Sequence, residues 1–563
     1  MQLRPYQAKA EADVFAAWGD GARYALLTMP TGAGKTAVFS SVISKSQIPA
    51  CAIAHRSELV SQMSLTLARY GIYHRVIGPR NVQKMCAALH MRELDRQYYD
   101  PRARVAVAGV DTLVNRGDEL RDWLPTVGLA VMDEAHHVLR ENKWGRAYQM
   151  FPNARGLGVT ATPLRADGRG LGRHADGVAD ALIVGPCGRE LIDQGYLTDY
   201  RIIAPPSDVD YSHVPIGASG DYSLVKLRDA VHASNTIVGD VVKHYKKFAN
   251  GQLGVTFNVD VEAATEQAEA FRKAGVPAEV VHAKTPDDLR FNILRRFRNG
   301  EIMQLCNVDL FGEGFDLCAI TCVSMVRKTE SYGLYCQQFG RALRATADID
   351  GVHTDDERKQ LIADSSKSSA IIIDHVGNVA RHGLPDVARV WSLDRRERRT
   401  RSTDTSVVPL RTCENPECFA VFERFYKACP YCGHSPVIAR RSTPEEVDGD
   451  LIELDPAALR ALRGEIERIA SPLVYFPSGL SYPARAALAK RHEERREAQE
   501  SLRKTIALWA GLQRHLGRSD SEAYGRFLYG FGVNVAKAQT LNAKEMGDLE
   551  KRIMVQLIGV VEK

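Results

Sequence analysis

Residues 24–36 read YALLTMPTGAGKT and join an apolar strand-like run to a helical stretch through a glycine-rich turn. Glycines in such a turn let backbone N–H groups wrap phosphate groups at a helix N-terminus. In this pattern Lys35 would reach the β- and γ-phosphates of a nucleotide, and Thr36 would bind Mg²⁺. The general phosphate-loop pattern has glycine where Met29 stands, so the stretch needs support from a second motif. The predicted phosphate-binding residues are Thr31, Gly32, Ala33, Gly34, Lys35 and Thr36.

That support comes from Val131–His136 (VMDEAH), in which an apolar strand ends in two adjacent carboxylates. Asp133 can hold Mg²⁺ directly or through water, which leaves Glu134 to orient or deprotonate an attacking water. An Asp-Glu pair in isolation is most often a solvated helix cap, but its pairing with a phosphate loop favours the catalytic interpretation. The two motifs together predict an ATPase that uses ATP and Mg²⁺.

Short β-rich runs alternate with longer helical stretches on both sides of a segment rich in Pro, Gly, Ser and Asp at Pro205–Asp221. Such alternation predicts two α/β lobes, each a parallel sheet covered by helices. The predicted strands of the first lobe, residues 1–204, are Tyr24–Met29, Ala50–Ala54, Arg104–Val107, Leu129–Met132 and Gly156–Thr160. Those of the second lobe, residues 222–393, are Leu253–Phe257, Glu279–His282, Ile302–Asn307, Ile320–Met325 and Ala370–Asp374.

A third motif, Gln337–Arg344 (QQFGRALR), lies in the second predicted lobe and carries two arginines three residues apart, hence on one face of a helix. Such a face suits arginine fingers, which meet the charge that develops during phosphoryl transfer. A basic surface helix is the alternative, but the flanking Gln337 and Gly340 and the order of the motifs favour fingers. We therefore expect ATP to lie between the lobes. The predicted catalytic residues are Lys35, Asp133, Glu134, Gln337, Arg341 and Arg344.

Four of the 11 cysteines form two short-spaced pairs, Cys413 with Cys418 and Cys429 with Cys432. Four thiolates in a tetrahedral array suit a structural Zn²⁺, and the repeated spacing argues against chance pairing of reduced cysteines. The pairs predict a small zinc module over residues 408–436, with a hairpin between them at Phe419–Lys427.

The sequence around this module is less specific. The arginine-dense run Arg395–Arg401 is as compatible with a solvated linker as with a phosphate-binding strip. From residue 450 to residue 563 the chain is rich in Ala, Leu, Glu and Arg, a composition that predicts helices. We find no nuclease constellation of carboxylates and lysine in that region.

Composition sets the remaining limits. With 45% hydrophobic and 25% charged residues, the chain matches ordinary soluble globular proteins. The net charge of +5 is too slight to argue for a nucleic-acid partner by itself. No apolar run approaches the ~20 residues that cross a bilayer, and the first residues lack the apolar core of a signal peptide. We expect a cytoplasmic protein with no membrane partner.

Taken in order from Leu3 to Asp374, these motifs resemble those of superfamily-two helicases, and Asp133–His136 makes the chain similar to DEAH-type members. It most resembles the RadD-like DNA-repair helicases and their phage-borne relatives. Those proteins share the Leu3–Gln7 start (LRPYQ), a segment like Gly312–Asp316, and a cysteine module after the second lobe. The resemblance implies two RecA-like parallel-sheet lobes, followed by a zinc-ribbon module and a helical C-terminal region.

The resemblance also implies roles for individual residues. Gln7 would read the adenine base, and Ala54–Val60 and Gly109–Leu113 would contact the nucleic-acid backbone. Thr160–Pro163 would link hydrolysis to strand movement, and Gly312–Asp316 would lie near the ribose and the bound strand. The cofactor-binding residues so predicted are Gln7, Thr31, Gly32, Ala33, Gly34, Lys35, Thr36, Asp133, Gly314 and Asp316.

The function that follows is an ATP-dependent motor that moves on or unwinds DNA, in DNA repair, recombination or phage replication. An RNA helicase has the same chemistry, and only the zinc module and the RadD-like resemblance favour DNA. A third hypothesis is a motor or scaffold subunit of a restriction or repair complex, which binds ATP and DNA without separating strands. Such a subunit would recruit protein partners through the zinc ribbon and the helical tail.

Overall fold

The computed structural model describes most of the chain. The described residues are 2–204, 214, 221–223, 226–227, 237–308, 318–395, 410–423, 426, 428–435, 466, 469–471, 482–518 and 520–561. The predicted segment Gly312–Asp316, with Gly314 and Asp316, lies outside them, as do most of Pro205–Asp221 and all of Arg395–Arg401 except Arg395. The chain forms two compact units, one of Met1–Asp386 with Trp391–Thr400 and one of Val387–Val390 with Arg401–Lys563.

The first sheet of the larger unit is built from seven parallel strands. They are β1 Tyr24–Thr28, β2 Ala50–Ala54, β3 His74–Ile77, β4 Val105–Gly109, β5 Leu129–Asp133, β6 Arg155–Thr160 and β7 Ala181–Val184. Their order across the sheet is β3, β4, β2, β5, β6, β1 and β7. Every residue of β1, β2 and β5 is buried, as expected where helices cover both faces of a parallel sheet.

Helices connect these strands. They are Pro5–Gly19, Lys35–Ser46, Ser57–Arg69, Arg80–Leu94, Val110–Asn115, Gly117–Leu120, Lys143–Gln149 and Gly188–Asp193. The helix Lys143–Gln149 begins where the side chain of Asn142 accepts hydrogen bonds from the backbone N–H groups of Trp144 (3.0 Å) and Gly145 (3.1 Å). Asparagine at this position satisfies amides that have no partner within the helix.

A second parallel sheet follows in the same unit. Its strands are β8 Tyr200–Ile203, β9 Gly254–Phe257, β10 Ala278–His282, β11 Gln304–Val308, β12 Cys322–Met325 and β13 Ala370–Asp374. They run in the order β10, β11, β9, β12, β13 and β8. The helices around this sheet are Ile237–Phe248, Val261–Lys273, Asp287–Arg298, Tyr332–Gly340, Asp355–Ala363 and Asn378–His382.

The smaller unit holds an antiparallel hairpin and a group of helices. The hairpin strands are β14 Leu410–Thr412 and β15 Ala420–Glu423, and the helices are Tyr482–His515, Asp520–Phe531, Val535–Ala538 and Ala543–Val561. Three aromatic rings pack together in the core of these helices. The ring centroid of Trp509 lies 5.4 Å from that of Phe527 and 5.9 Å from that of Phe531. Among the helices described, none is long and apolar enough to cross a membrane.

The architecture confirms the predicted fold class of two parallel-sheet α/β lobes, a four-cysteine module and a helical C-terminal region. Each predicted strand overlaps an observed one. The strands β3, β7 and β8, of four residues each, were not predicted. Although β8 precedes the predicted boundary at residue 204, it pairs with β13 of the second sheet. The domain boundaries themselves stay predictions.

The predicted hairpin at Phe419–Lys427 lies partly outside the described residues, which omit 424, 425 and 427. In the described part, β15 lies between the two cysteine pairs, and it pairs with β14, which precedes the first pair. Cys413 donates its backbone N–H to the carbonyl of Ala420 (2.8 Å), which extends the ladder to the first cysteine.

Tight packing of two aromatic rings on a strand glycine gives a test of the first lobe's core. Gly156 in β6 lies against Tyr24, and a Cβ added there would also stand 2.9 Å from Cε2 of Tyr148. We expect Gly156→Val to lower the free energy of unfolding of this lobe by about 1–3 kcal/mol, because the buried rings cannot move aside. Gly19→Ala is the control, since a Cβ at Gly19 meets nothing within 4 Å. Equal unfolding midpoints for the two variants would contradict the packing.

Candidate functional site

The first sheet brings three of the predicted motifs to one edge. Strand β6 lies between β1 and β5, and all three run parallel. Their carboxyl ends therefore meet, which places the loop Met29–Gly34, the pair Asp133 and Glu134, and Thr160–Pro163 side by side. Ligands of open α/β sheets bind outside the carboxyl ends of the strands.

The glycine-rich loop has the backbone that a phosphate cradle requires. Gly32 (φ +89°) and Gly34 (φ +77°) adopt left-handed conformations that side chains disfavour, and the following helix begins at Lys35. Met29, which replaces the expected glycine, is 1% exposed, and a Cβ added at Gly185 would stand 2.7 Å from its Cγ. A side chain at position 29 thus packs against the facing glycine without disturbing the loop.

The side chain of Lys35 reaches back to this loop from the first residue of the helix. Its Nζ donates hydrogen bonds to the carbonyl oxygens of Met29 (3.1 Å) and Pro30 (3.3 Å). Burial lowers the pKa of Lys35, while the negative charges of Glu134 and Asp133 act to raise it. The ammonium is therefore held in a poorly solvated position next to both carboxylates, where an anionic ligand would relieve the cost of burial.

The two carboxylates are buried, with Asp133 9% and Glu134 8% exposed. Glu134 has a left-handed backbone (φ +48°, ψ +48°), a conformation that non-glycine residues adopt mostly in special positions. Its backbone N–H donates to Oδ1 of Asp133 (3.0 Å), which orients the first carboxylate.

A short series of polar contacts runs from Glu134 to the end of β6. Nδ1 of His136 lies 3.4 Å from Oε2 of Glu134 and 3.0 Å from Oγ1 of Thr160. The Thr160 hydroxyl in turn donates to the carbonyl of Thr162 (3.1 Å). The segment Thr160–Pro163 is thus tied to the second carboxylate through one imidazole ring.

Gln7 reaches the phosphate loop from the first helix. Its Nε2 donates to the carbonyl of Ala33 (3.0 Å), and its Oε1 accepts the backbone N–H of Arg4 (3.0 Å). The hydroxyl of Tyr6 donates to the same Ala33 carbonyl (3.1 Å). A Cβ added at Gly34 would collide with the Gln7 amide, so the loop and this glutamine fit together only through a glycine.

The third motif comes from the second lobe and lies against the same loop. A Cβ added at Gly340 would stand 2.5 Å from Cβ of Thr31, and one added at Gly32 would stand 3.2 Å from Cγ of Arg344. Arg341 is 3% exposed. The positive charges of Arg344 and Arg341 further lower the pKa of Lys35, as expected for cations close to it.

The prediction that Arg341 and Arg344 lie on one face of a helix is wrong. The helix Tyr332–Gly340 ends before both arginines, so they do not share a regular helix face. Arg344 instead forms an antiparallel bridge with Leu197, and the backbone N–H of Thr198 donates to the carbonyl of Leu343 (2.8 Å). Residues 341–344 are therefore not helical. They pair with residues 197–198, which follow the first sheet, and Arg344 lies next to Gly32 of the phosphate loop.

The other predicted residues fall as follows. Gln337 is buried, with 4% exposure, in the helix Tyr332–Gly340. The segments Ala54–Val60 and Gly109–Leu113 begin at the carboxyl ends of β2 and β4, on the edge that carries the phosphate loop.

Two contributors were missed in the sequence. Tyr6, next to Gln7, was quoted only as part of its motif, and its contact with Ala33 gives it a role of its own. Arg165 donates from Nη1 to the carbonyl of His136 (3.1 Å) and pairs with Asp167 (2.6 Å), which fixes the turn after the two carboxylates. Its position two residues beyond Pro163 is the only sequence signal for it.

The four clustered cysteines form a second candidate centre. All four Sγ atoms lie within 4.8 Å of one another, with 3.6 Å between those of Cys413 and Cys432 and 3.8 Å between those of Cys418 and Cys429. A tetrahedron with Zn–S bonds of about 2.3 Å has edges of about 3.8 Å, so the donor set fits Zn²⁺. Gly433 (φ +71°) makes the tight turn after the second pair.

Comparisons with known proteins agree with this geometry. Residues 1–165 match the family model "Type III restriction enzyme, res subunit", and residues 240–346 match "Helicase conserved C-terminal domain". A 51.5 kDa protein of a Lactococcus phage is 30% identical over 442 residues, which cover 78% of this chain and 84% of that protein.

Two further relatives carry names of motors. A Saccharomyces cerevisiae protein that carries the name of an ATP-dependent helicase, IRC3, is 27% identical over 62% of this chain. The match spans only 50% of that yeast protein. The DNA 3'-5' translocase XPB2 of Sulfurisphaera tokodaii is 24% identical over 61% of this chain and 79% of its own length.

The contact between Gly340 and Thr31 gives a test of the shared site. We expect Gly340→Val to reduce ATP turnover by about tenfold or more, because the added side chain pushes the arginine segment away from the loop. Gly547→Ala is the matched control, since a Cβ at Gly547 meets nothing within 4 Å. Steady-state ATPase rates measure both, and wild-type turnover in Gly340→Val would show that the two lobes need not meet here.

Proposed function

The chain belongs to the superfamily-two helicases, and from that premise we propose that it couples ATP hydrolysis to movement along DNA. Membership makes it a nucleic-acid-dependent ATPase, and helicase domains imply ATP with Mg²⁺. The particular substrate, the residue roles and the biological process are the content of the proposal. DNA repair, recombination and phage replication are the processes that such an activity would serve.

One observation carries the proposal: the arginine-bearing segment of the second lobe lies on the phosphate loop of the first. Arg344 approaches Gly32, and Gly340 packs on Thr31. A site built from two lobes changes when ATP is hydrolysed, because contacts to the γ-phosphate are lost. Movement of one lobe relative to the other is the step that a motor needs.

In the proposed chemistry, Lys35 binds the β- and γ-phosphates in exchange for its present contacts with the Met29 and Pro30 carbonyls. Thr36 and Asp133 would hold Mg²⁺, which would neutralise charge on the phosphates. Glu134 orients or deprotonates the attacking water. Arg341 and Arg344 stabilise the charge that develops in the transition state. Gln7 recognises the adenine while it contacts the loop through Ala33.

The proposed coupling runs through His136. This ring contacts both Glu134 and Thr160, so a shift of the Glu134 carboxylate on hydrolysis alters the hydrogen bonds that hold Thr160–Pro163. The strand-contacting segments after β2 and β4 lie at the same edge of the sheet. We assign to them the backbone contacts with nucleic acid.

DNA is the proposed polymer rather than RNA. The similarity to a protein named as a DNA translocase supports DNA, as does the four-cysteine module. We propose that this module holds one structural Zn²⁺. Four thiolates fill its tetrahedron, so it activates no water.

A second candidate is a motor subunit that translocates without separating strands. The observation that favours it is the match of residues 1–165 to the restriction-enzyme res-subunit model. The two candidates share the ATP site. They differ in whether movement along DNA separates its strands.

The experiment that tests the proposal compares ATPase rates with single-stranded DNA, duplex DNA, forked DNA and RNA. Stimulation by DNA above that by RNA is the expected result, and stimulation by RNA alone would reassign the substrate. Strand displacement on the fork then separates unwinding from translocation. Translocation without displacement would favour the restriction-type subunit.

The proposed roles of the loop lysine and the second carboxylate predict distinct defects. Lys35→Ala should abolish ATP turnover by removing the charge that meets the phosphates. Glu134→Gln should slow hydrolysis by about a hundredfold or more while ATP affinity changes little, since the carboxylate acts on the water. The matched control is Glu141→Gln, an exposed glutamate in the same loop region. Undiminished turnover in Glu134→Gln would overturn its assignment.

The proposed zinc site predicts about one Zn²⁺ per chain in protein purified without chelators. Changing Cys429 and Cys432 together to Ser should release the metal and unfold the module, because so small a core is not stable alone. Basal ATP hydrolysis should persist, since no cysteine of this cluster belongs to the nucleotide site. Elemental analysis measures the metal, and a content near zero in the wild type would exclude the site.

A further inference from the structure

Lys367 is a buried lysine in a turn of exposed residues. It lies between the helix Asp355–Ala363 and β13, and its side chain is 1% exposed although Ser366 and Ser368 on either side are exposed. A lysine is almost never buried to this extent unless its ammonium is hydrogen-bonded. The sequence DSSKSS (364–369) alone would indicate a solvated loop.

The ammonium of Lys367 joins two distant segments of the second lobe. Its Nζ donates to the carbonyl oxygen of Arg344 (2.6 Å) and to that of Cys318 (2.9 Å). Both acceptors belong to the main chain, so the lysine fixes the path of the backbone. One of them is the backbone of a proposed arginine finger.

The Arg344 backbone is held from two sides. On one side it forms the bridge with Leu197, next to the hydrogen bond between Thr198 and Leu343. On the other side stands Lys367. The Arg344 side chain leaves this clamped backbone toward Gly32 of the phosphate loop. The point from which the Arg344 side chain extends is therefore fixed by these main-chain contacts.

We infer that Lys367 is a positioning residue for ATP hydrolysis, which holds the main chain at Arg344 and Cys318 so that the Arg344 side chain is presented to the phosphate loop. The inference rests on the finger role proposed above for Arg344. A finger displaced by about 1 Å loses much of its effect on the transition state, since its contribution depends on preorganised geometry.

The hydrogen bonds of Lys367 do not require a fixed protonation state. Burial lowers the pKa of Lys367 to about 7, with the nearby Cys318 acting to raise it and the charge of Arg344 acting to lower it. A neutral amine keeps two N–H donors, which match the two carbonyl acceptors. Lys367 can therefore hold both carbonyl oxygens above and below neutral pH, and it does not act as a pH switch.

The test is a double-mutant cycle on the full chain. Lys367→Met keeps the length of the side chain and removes its donors, and we expect it to lower kcat by about tenfold while KM for ATP changes by less than about threefold. Arg344→Ala should also lower kcat. Because both changes act on one finger, the double variant should be no slower than Arg344→Ala. Lys359→Met is the control, an exposed lysine on the preceding helix that pairs with Asp356.

Each outcome of the cycle decides something. Wild-type turnover in Lys367→Met would overturn the inference. So would a double variant whose defect is the product of the two single defects, because two changes that act independently have additive effects on the activation free energy. If Arg344→Ala keeps full turnover, the finger role fails instead, and with it the proposed function's account of the second lobe. If Lys367→Met does not fold, Lys367→Gln takes its place in the cycle with the same expected loss of kcat, because its amide nitrogen stops one atom short of the two carbonyl oxygens.

Discussion

The approach of Gly340 to Thr31 is the contact on which the rest of the active site depends. Only a residue without a Cβ can lie so close to the phosphate loop, and the two arginines follow directly in the chain. In the proposed function, this approach gives the second lobe access to the nucleotide bound by the first lobe. A larger residue at position 340 would leave two correctly folded lobes with an incomplete site between them.

The charges of the site favour reversible binding of an anion. The half-buried Lys35 donates to two carbonyl oxygens, and the charges of two carboxylates and of Arg341 and Arg344 lie nearby. Cations held so close to one another repel, and a polyphosphate that binds among them relieves that repulsion. In the proposed cycle, closure of the lobes is linked to the presence of the nucleotide, and the second lobe releases the loop once the charge between these residues falls.

Much of this arrangement follows from the sequence, because it depends on local pattern. Apart from β3, β7 and β8, the strands of the two parallel sheets were predictable from apolar runs. Lys35, Asp133 and Glu134 were predictable from short motifs, each at the end of a single strand. The position of Arg344 required a different kind of information. The motif identified the residue, but its bridge to Leu197 and its hydrogen bond from Lys367 join segments far apart in the chain. A serine-rich turn gives no sign in the sequence that its lysine points inward.

The most direct test of the account is a structure of the protein with ADP and aluminium fluoride, which imitates the transferring phosphoryl group. We expect the guanidinium groups of Arg341 and Arg344 within hydrogen-bond distance of the fluorides, and the amides of Gly32–Thr36 around the β-phosphate. Glu134 should lie beside the in-line water. A complex in which only residues of the first lobe contact the fluorides would contradict a site shared by both lobes.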